Sequence, residues 1–149
     1  MSLSLASIDE YQKMLQEYAK EIPKVVENIV DRLSEEGLKN NYKSTTKITT
    51  KNEGNKVVGG IKTTDEKDTY REFGTGIIGS GNPHPDIMSG WQYDVNKHGE
   101  KGWKYPKGDG TYGWTKGQQA NKKFYIALQE MEKKFPEIAK EEFQKIIKG

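Results

Sequence analysis

At residues 41–64, NYKSTTKITTKNEGNKVVGGIKTT, the residue pattern changes from the three-to-four-residue period of a helix to the two-residue period of a strand. Along Asn41–Lys51, hydroxyl-bearing and β-branched residues alternate with residues that are mostly lysine, which predicts a strand with one basic side. Asn52–Asn55 predicts a turn, and the return strand spans Lys56–Thr64. A β-hairpin is therefore expected, with Gly59-Gly60 marking a bulge or a close backbone approach.

A long helix is predicted before the hairpin. Apolar residues from Ile8 to Leu33 recur in steps of three and four, so they form one stripe along a helix. Ser7–Glu10 has the pattern of a capping box at its start. Pro23 removes one backbone hydrogen bond, but the stripe continues through it, which favours a kink over a break.

The region after the hairpin contains three further elements. Thr69–Phe73 is expected to be a short extended or helical element, and residues 74–117 one long loop rich in glycine and aromatic residues. Apolar stripes then predict C-terminal helices over residues 120–135 and beyond Pro136, which is expected in the first turn of the second helix. The prediction is an α+β fold in one domain over residues 1–149, with residues 1–6 disordered.

Composition excludes several functions. The chain has 149 residues, a net charge of +2 and no cysteine. Disulfides and cysteine-ligated metals are thereby excluded, and the weak charge argues against sequence-specific nucleic-acid binding. No apolar run reaches the ~20 residues of a membrane span, so no membrane partner is expected. Hydrophobic residues make up only 32%, which favours an elongated shape, or one that completes its burial against other subunits, over a compact enzyme.

Two motifs carry weak signals for a ligand. Gly74–Gly79 matches G-x-G-x-x-G, but a dinucleotide site needs a helix that opens within the motif, and Ser80–Pro83 indicates that none begins there. His84 and His98 lie fourteen residues apart without helical spacing, so they are expected to be exposed or to stabilise turns. A metal-dependent hydrolase using both histidines stays open as an alternative, but no metal, cofactor or catalytic site is predicted.

The main signal is aromatic. Six of the fifteen aromatic residues lie within 24 residues: Trp91, Tyr93, Trp103, Tyr105, Tyr112 and Trp114. Such side chains can anchor a protein interface, and this is the favoured interpretation. Two alternatives remain: the aromatics fold inward as the loop's own small core, or they stack on sugars or bases, as in a carbohydrate or cell-wall binding module.

The motifs, taken in order, resemble a known family. They are YREFGTGIIG at Tyr70–Gly79, the pair His84-Pro85, the segment Trp91–Ala120 and KKFYIAL at Lys122–Leu128. Together they resemble the siphophage head–tail connector proteins, which include neck and tail-completion proteins. The chain looks most like versions from phages or prophages of Gram-positive bacteria.

The resemblance implies a structural virion subunit without catalysis or cofactor. Such a subunit forms a homo-oligomeric ring between head and tail, contacts other neck, head-adaptor or tail proteins, and is found in the virion and, during assembly, in the host cytoplasm. The resemblance also implies that a structural signature surrounds the family motif, which comprises Tyr70, Glu72, Phe73, Gly74 and Gly76. The long loop is implied to contact neighbouring subunits.

Overall fold

The structure is a computed structural model that describes residues 5–86, 90–94 and 97–148. Its elements confirm the predicted α+β class. In chain order they are α1 (Leu5–Leu38), β1 (Thr45–Asn52), β2 (Val57–Thr63), α2 (Glu66–Phe73), α3 (Gly76–Ser80), a 3-10 turn (Gly99–Lys101), β3 (Trp103–Pro106), β4 (Tyr112–Thr115), β5 (Gly117–Gln118) and α4 (Lys123–Lys148). Neither long helix contains, among the described residues, an apolar stretch sufficient to cross a bilayer.

Several predicted helix boundaries were wrong. Helix α1 begins at Leu5, so Ser7 is not its N-cap. The predicted disorder of residues 1–6 was wrong for residues 5 and 6, which belong to this helix, and residues 1–4 lie outside the described residues. Pro23 lies inside α1, which is one helix as expected. Pro136 also lies inside a single helix, α4, instead of starting a second one. One lost hydrogen bond ends a helix only if packing fails to compensate, and the apolar stripe of α4 continues past the proline.

The described chain consists of two compact units, and the single domain stays a prediction. The first unit takes in the described residues up to Lys39, Lys47–Lys62 and those from Gln129 onward. Its core is formed by α1 and α4 and comprises Val25, Ile29 and Ile138, with Leu33, Ala139 and Ile146 packed against them.

Helices α1 and α4 run antiparallel within this unit. Arg32 pairs with Glu141 at 2.6 Å. Five residues further along α1, Gly37 lies beside Met131, which comes ten residues before Glu141 in α4: a Cβ on Gly37 would be 2.7 Å from the Met131 sulfur. The β1–β2 sheet packs on the same helix, because a Cβ on Gly59 would lie 2.5 Å from Val30 Cγ1. Of the two alternatives for Gly59, a close backbone approach is thus the one observed.

The predicted basic face of β1 takes part in ion pairs within the first unit. Lys47 Nζ lies 2.8 Å from Asp31 and 3.4 Å from Glu35, both on α1. The strand begins at Thr45, later than the Asn41 predicted, because the Asn41 side chain accepts a hydrogen bond from the Tyr42 N–H in a local turn. Such side-chain bonds compete with strand pairing.

The second unit contains Asn40–Thr46 and the described part of Thr63–Leu128. The alternative of a helix for Thr69–Phe73 is the one observed, and this helix, α2, begins earlier, at Glu66 after an Asp65 N-cap. Residues 74–117 are not one loop, since they contain α3, β3 and β4. The sequence pattern missed the β3–β4 hairpin because each strand has only four residues, β3 directly follows Gly102 and β4 contains Gly113.

Candidate functional site

A buried carboxylate organises the second unit. Glu72, on α2, is 6% exposed and accepts four hydrogen bonds of 2.9 Å. The donors are the Tyr42 hydroxyl, His84 Nε2 and the backbone N–H groups of Phe124 and Tyr125. The two amides belong to the first turn of α4, whose N–H groups have no partner within the helix. Glu72 therefore caps a helix that begins about 50 residues further along the chain.

The hydrogen bonds define the state of His84. Its Nδ1 accepts from the Asp86 N–H at 3.0 Å, so in the neutral ring the proton is on Nε2, which donates to Glu72. The prediction of an exposed histidine was wrong, since His84 is 4% exposed, whereas its contact with Asp86 agrees with stabilisation of a turn. Burial, and then the hydrogen bond to Glu72, raise the pKa of the Tyr42 phenol.

A second buried carboxylate lies one turn earlier on α2. Asp68 is 1% exposed and accepts from the Ser44 hydroxyl, from the Thr63 hydroxyl at 2.6 Å and from Arg71 at 2.5 Å. Burial by itself would raise the pKa of Asp68. The hydrogen bonds from Ser44, Thr63 and Arg71 and the charge of Arg71 outweigh burial, so the pKa is lowered.

This lowered pKa gives a testable dependence of stability on pH. The stability contributed by Asp68 is fully present above its ordinary pKa of 3.8 and is lost as the pH falls through the lower pKa of the folded state. Urea unfolding from pH 6 down to about pH 2.5 should therefore show a loss of stability that is smaller in Asp68→Asn. Parallel pH profiles for the two proteins would contradict the expectation.

The glycines of the family motif allow two backbone segments to touch. Gly74 ends α2 with a φ of 82°, and Gly76 has a φ of 63°. Thr75 and Gly76 form antiparallel bridges with Gln118 and Gly117. A Cβ on Gly76 would lie 2.3 Å from the Lys116 carbonyl oxygen, so this position excludes any side chain.

The expectation that no helix begins within G-x-G-x-x-G was wrong, because α3 starts at Gly76. This helix has five residues and its motif follows helix α2, whereas a dinucleotide site requires a preceding strand. The glycines instead permit a reversal of the chain after Phe73. Gly76 N–H donates to the Tyr93 carbonyl at 2.6 Å, which holds the reversal against the following segment.

Three of the six candidate interface aromatics pack inside the second unit. Trp91 lies against Phe73, with ring centroids 5.0 Å apart, and against Tyr70 at 5.9 Å. The Tyr93 hydroxyl accepts from the His84 N–H at 3.2 Å. Trp103 stacks on His98 at 5.0 Å. For Trp91, Tyr93 and Trp103 the inward-packing alternative therefore describes the structure.

The strand register places the other three candidates, Tyr105, Tyr112 and Trp114, on two different faces of the β3–β4 hairpin. Trp114 pairs with Lys104 and Tyr112 with Pro106, so these four side chains share one face of the β3–β4 hairpin. Tyr112 is 69% exposed and Trp114 59% exposed. Tyr105 lies on the opposite face with Trp103. Trp91, Trp103 and Trp114 thus share no common surface on which a sugar could stack.

The face with Trp103 and Tyr105 borders a cavity of about 590 Å³. Lys67, Tyr70 and Arg71, which follow one face of α2, line the same cavity. A smaller cavity of about 290 Å³ adjoins the Asp68, Glu72 and His84 side chains, whose polar atoms are already engaged in the bonds described above. The larger cavity is of the size of ligand-binding pockets.

The two histidines belong to different environments. His84 bonds to Glu72, whereas His98 Nδ1 lies 3.4 Å from Asp94 and its ring stacks on Trp103. Within the described ranges, no three His, Cys, Asp or Glu side chains are grouped so as to hold a metal ion.

The sequence pattern did not indicate the polar partners of this site. Tyr42 was assigned to a strand, and Asp68 lay between two predicted elements. The signal that could have pointed to them is a carboxylate pair on α2, Asp68 and Glu72, at the four-residue spacing that places both on one helix face.

Comparison of the chain with models of protein families, with curated proteins and with solved structures found no match.

Proposed function

We propose that this chain is a structural virion protein of a tailed phage or prophage, a ring-forming subunit at the head–tail junction. It acts in virion assembly, in the host cytoplasm and then in the virion. Its partners are copies of itself and other neck, head-adaptor or tail proteins. The resemblance of its motifs to head–tail connector proteins supports the class, and an exposed apolar surface supports the assembly.

The observation that carries the proposal is the N-terminal half of α1. From Asp9 to Lys24 every residue is exposed except Tyr18, which is half-buried. This stretch nevertheless has an apolar stripe made of Tyr11, Met14, Leu15, Tyr18 and Ile22. Leu15 is 63% exposed. We call these five residues the α1 stripe.

The charges of this stretch are kept away from the α1 stripe. With Leu15 and Ile22 as position a of a heptad and Tyr11 and Tyr18 as position d, charged residues occupy mainly positions b, c and f. These are Asp9, Glu10, Lys13, Glu17, Lys20 and Lys24, and Glu21 is the exception. Charged residues on one side and apolar residues on the other are typical of a helix with one buried face.

Energetics favour a partner for this surface. Burial of one Leu or Ile side chain contributes about 1.5–3 kcal/mol, so the four exposed side chains of the α1 stripe and the half-buried Tyr18 forgo a considerable stabilisation while no partner covers them. The α1 stripe also continues in register with Val25 and Ile29, which α4 covers further along the same helix. A neighbouring subunit that covers the α1 stripe would extend this packing.

A matched pair of variants tests the proposal. Leu15→Glu places a carboxylate in the α1 stripe, and Gln16→Glu places the same group on the adjacent, polar side. We expect the wild-type chain and Gln16→Glu to form oligomers by sedimentation and light scattering, and Leu15→Glu to associate at least about tenfold more weakly. Circular dichroism should show equal helix content in all three.

Two results would contradict assembly through the α1 stripe. A wild-type chain that stays monomeric up to about 1 mM, where an association of about 4 kcal/mol would be half-complete, would contradict the proposal. Equal weakening by both variants would show that added charge, and not the α1 stripe, controls association.

A further inference from the structure

The β3–β4 hairpin has two unlike faces, one with protruding aromatics and one beside a cavity. We propose that Tyr112 and Trp114 of one copy insert into the cavity bordered by Trp103 and Tyr105 of the next copy. This inference rests on the proposed function, in which the chain assembles with itself, and it names the contact. Tyr112 and Trp114 are called the knob below, and the 590 Å³ cavity the hole.

Geometry makes this contact heterologous. The knob and the hole are on opposite faces of one two-stranded sheet, because side chains alternate across a strand and the register pairs Trp103 with Thr115 and Lys104 with Trp114. A copy cannot fill its own hole with its own knob across the sheet. Knob-to-hole contacts therefore repeat from copy to copy in one direction, which is the interface type from which rings are built.

The lining of the hole suits an aromatic knob. Tyr70, Trp103 and Tyr105 offer ring surfaces for offset or edge-to-face contact. Lys67 and Arg71 offer cations that can lie over an incoming ring. An indole N–H, which only donates, would find acceptor oxygens from the other lining side chains, Thr75, Gln92 and Gln118.

Charge is complementary between the two surfaces. Lys104 lies beside Trp114 on the knob face, and the wall of the hole contains the Asp94 carboxylate. The hairpin turn carries Asp109, whose pKa is lowered mainly by hydrogen bonds from Thr111, and the wall of the hole carries Lys67 and Arg71. Opposite charges in these places would steer the knob toward the hole and fix its orientation.

The area of one knob-to-hole contact indicates that a single such contact binds weakly. The exposed parts of Tyr112 and Trp114 amount to roughly 350 Å², and an equal area of the hole would give roughly 700 Å² in total. Stable interfaces usually exceed about 1,000 Å². Knob-to-hole contact is thus expected to add to other contacts and to become strong when a ring closes, since the last contact is intramolecular.

Cysteine cross-linking tests the contact directly, because the chain has no cysteine of its own. Lys104→Cys places a thiol beside the knob, and Lys67→Cys places one in the wall of the hole. Mild oxidation of an equal mixture of the two variants should give a disulfide-linked dimer. A chain with both substitutions should give a ladder of dimer, trimer and higher species on non-reducing gels.

Two controls make the result specific. Lys133→Cys, at an exposed position of α4, replaces Lys104→Cys in the mixture and should give little cross-link. Tyr112→Ala with Trp114→Ala, added to the double-cysteine chain, should reduce the ladder at least about tenfold. A ladder that persists without the knob, or one formed equally with Lys133→Cys, would overturn the inference.

The two proposals can fail separately. If the wild-type chain forms oligomers that Leu15→Glu weakens, but the double-cysteine chain gives no ladder, the knob-to-hole contact is wrong and the proposed function stands. If the wild-type chain stays monomeric and no ladder forms, both fail.

Discussion

Replacing Glu72 by glutamine is expected to lower the free energy of unfolding by about 3 kcal/mol or more. The carboxylate accepts from four donors, whereas the amide has one acceptor oxygen and presents an NH₂ group that cannot accept. Two of the four donors would then face this NH₂ group. The Tyr42 hydroxyl could turn to accept from it, but an N–H group in the first turn of α4, at Phe124 or Tyr125, could not and would lose its partner. The shape of the side chain is preserved, so the loss reports hydrogen bonding and charge.

Urea denaturation of wild type, Glu72→Gln and Glu100→Gln measures this effect. Glu100 lies in the 3-10 turn and is exposed, so Glu100→Gln should change stability by less than about 0.5 kcal/mol. Hydrogen exchange adds a local readout, since the amides of Phe124 and Tyr125 should exchange faster in Glu72→Gln. A loss below about 1 kcal/mol with unchanged protection of these amides would show that Glu72 is not the cap of α4.

Replacing Gly76 by alanine is expected to destabilise the protein by more than about 3 kcal/mol, or to prevent folding. Two effects add there. A φ of 63° disfavours any Cβ by about 1 kcal/mol, and the methyl group would lie 2.3 Å from the Lys116 carbonyl oxygen and 2.9 Å from Gly117 Cα. Both neighbours are backbone atoms, so no side-chain rotation relieves the clash.

Gly108→Ala separates the two effects. Gly108 also has a positive φ, of 89°, but a Cβ there would meet nothing within 4 Å. It should therefore lose only about 1 kcal/mol, from backbone strain. Thermal or urea unfolding of the two variants should differ by at least about 2 kcal/mol, and similar losses would mean that Gly76 is needed only for its conformation.

The predictability of the site differed between its parts. The importance of Tyr70–Gly76 was expected from the resemblance, but the partners of Glu72 were not, because the bonds from Tyr42 and Tyr125 span 30 and 53 residues. The burial of His84 was missed for the same reason. For the aromatics, a cluster was evident in the sequence, whereas which side chains face outward follows from the β3–β4 register.

The sequence by itself determined the α+β class, the long first helix, the β1–β2 hairpin and the helical C-terminus. These features depend on the periodicity of neighbouring residues, which a local pattern expresses directly. Only the tertiary structure decided that Glu72 caps α4, that Gly76 must lack a side chain and that Tyr112 and Trp114 point away from Trp103. These features depend on contacts between distant segments and on strand register, which local periodicity does not encode.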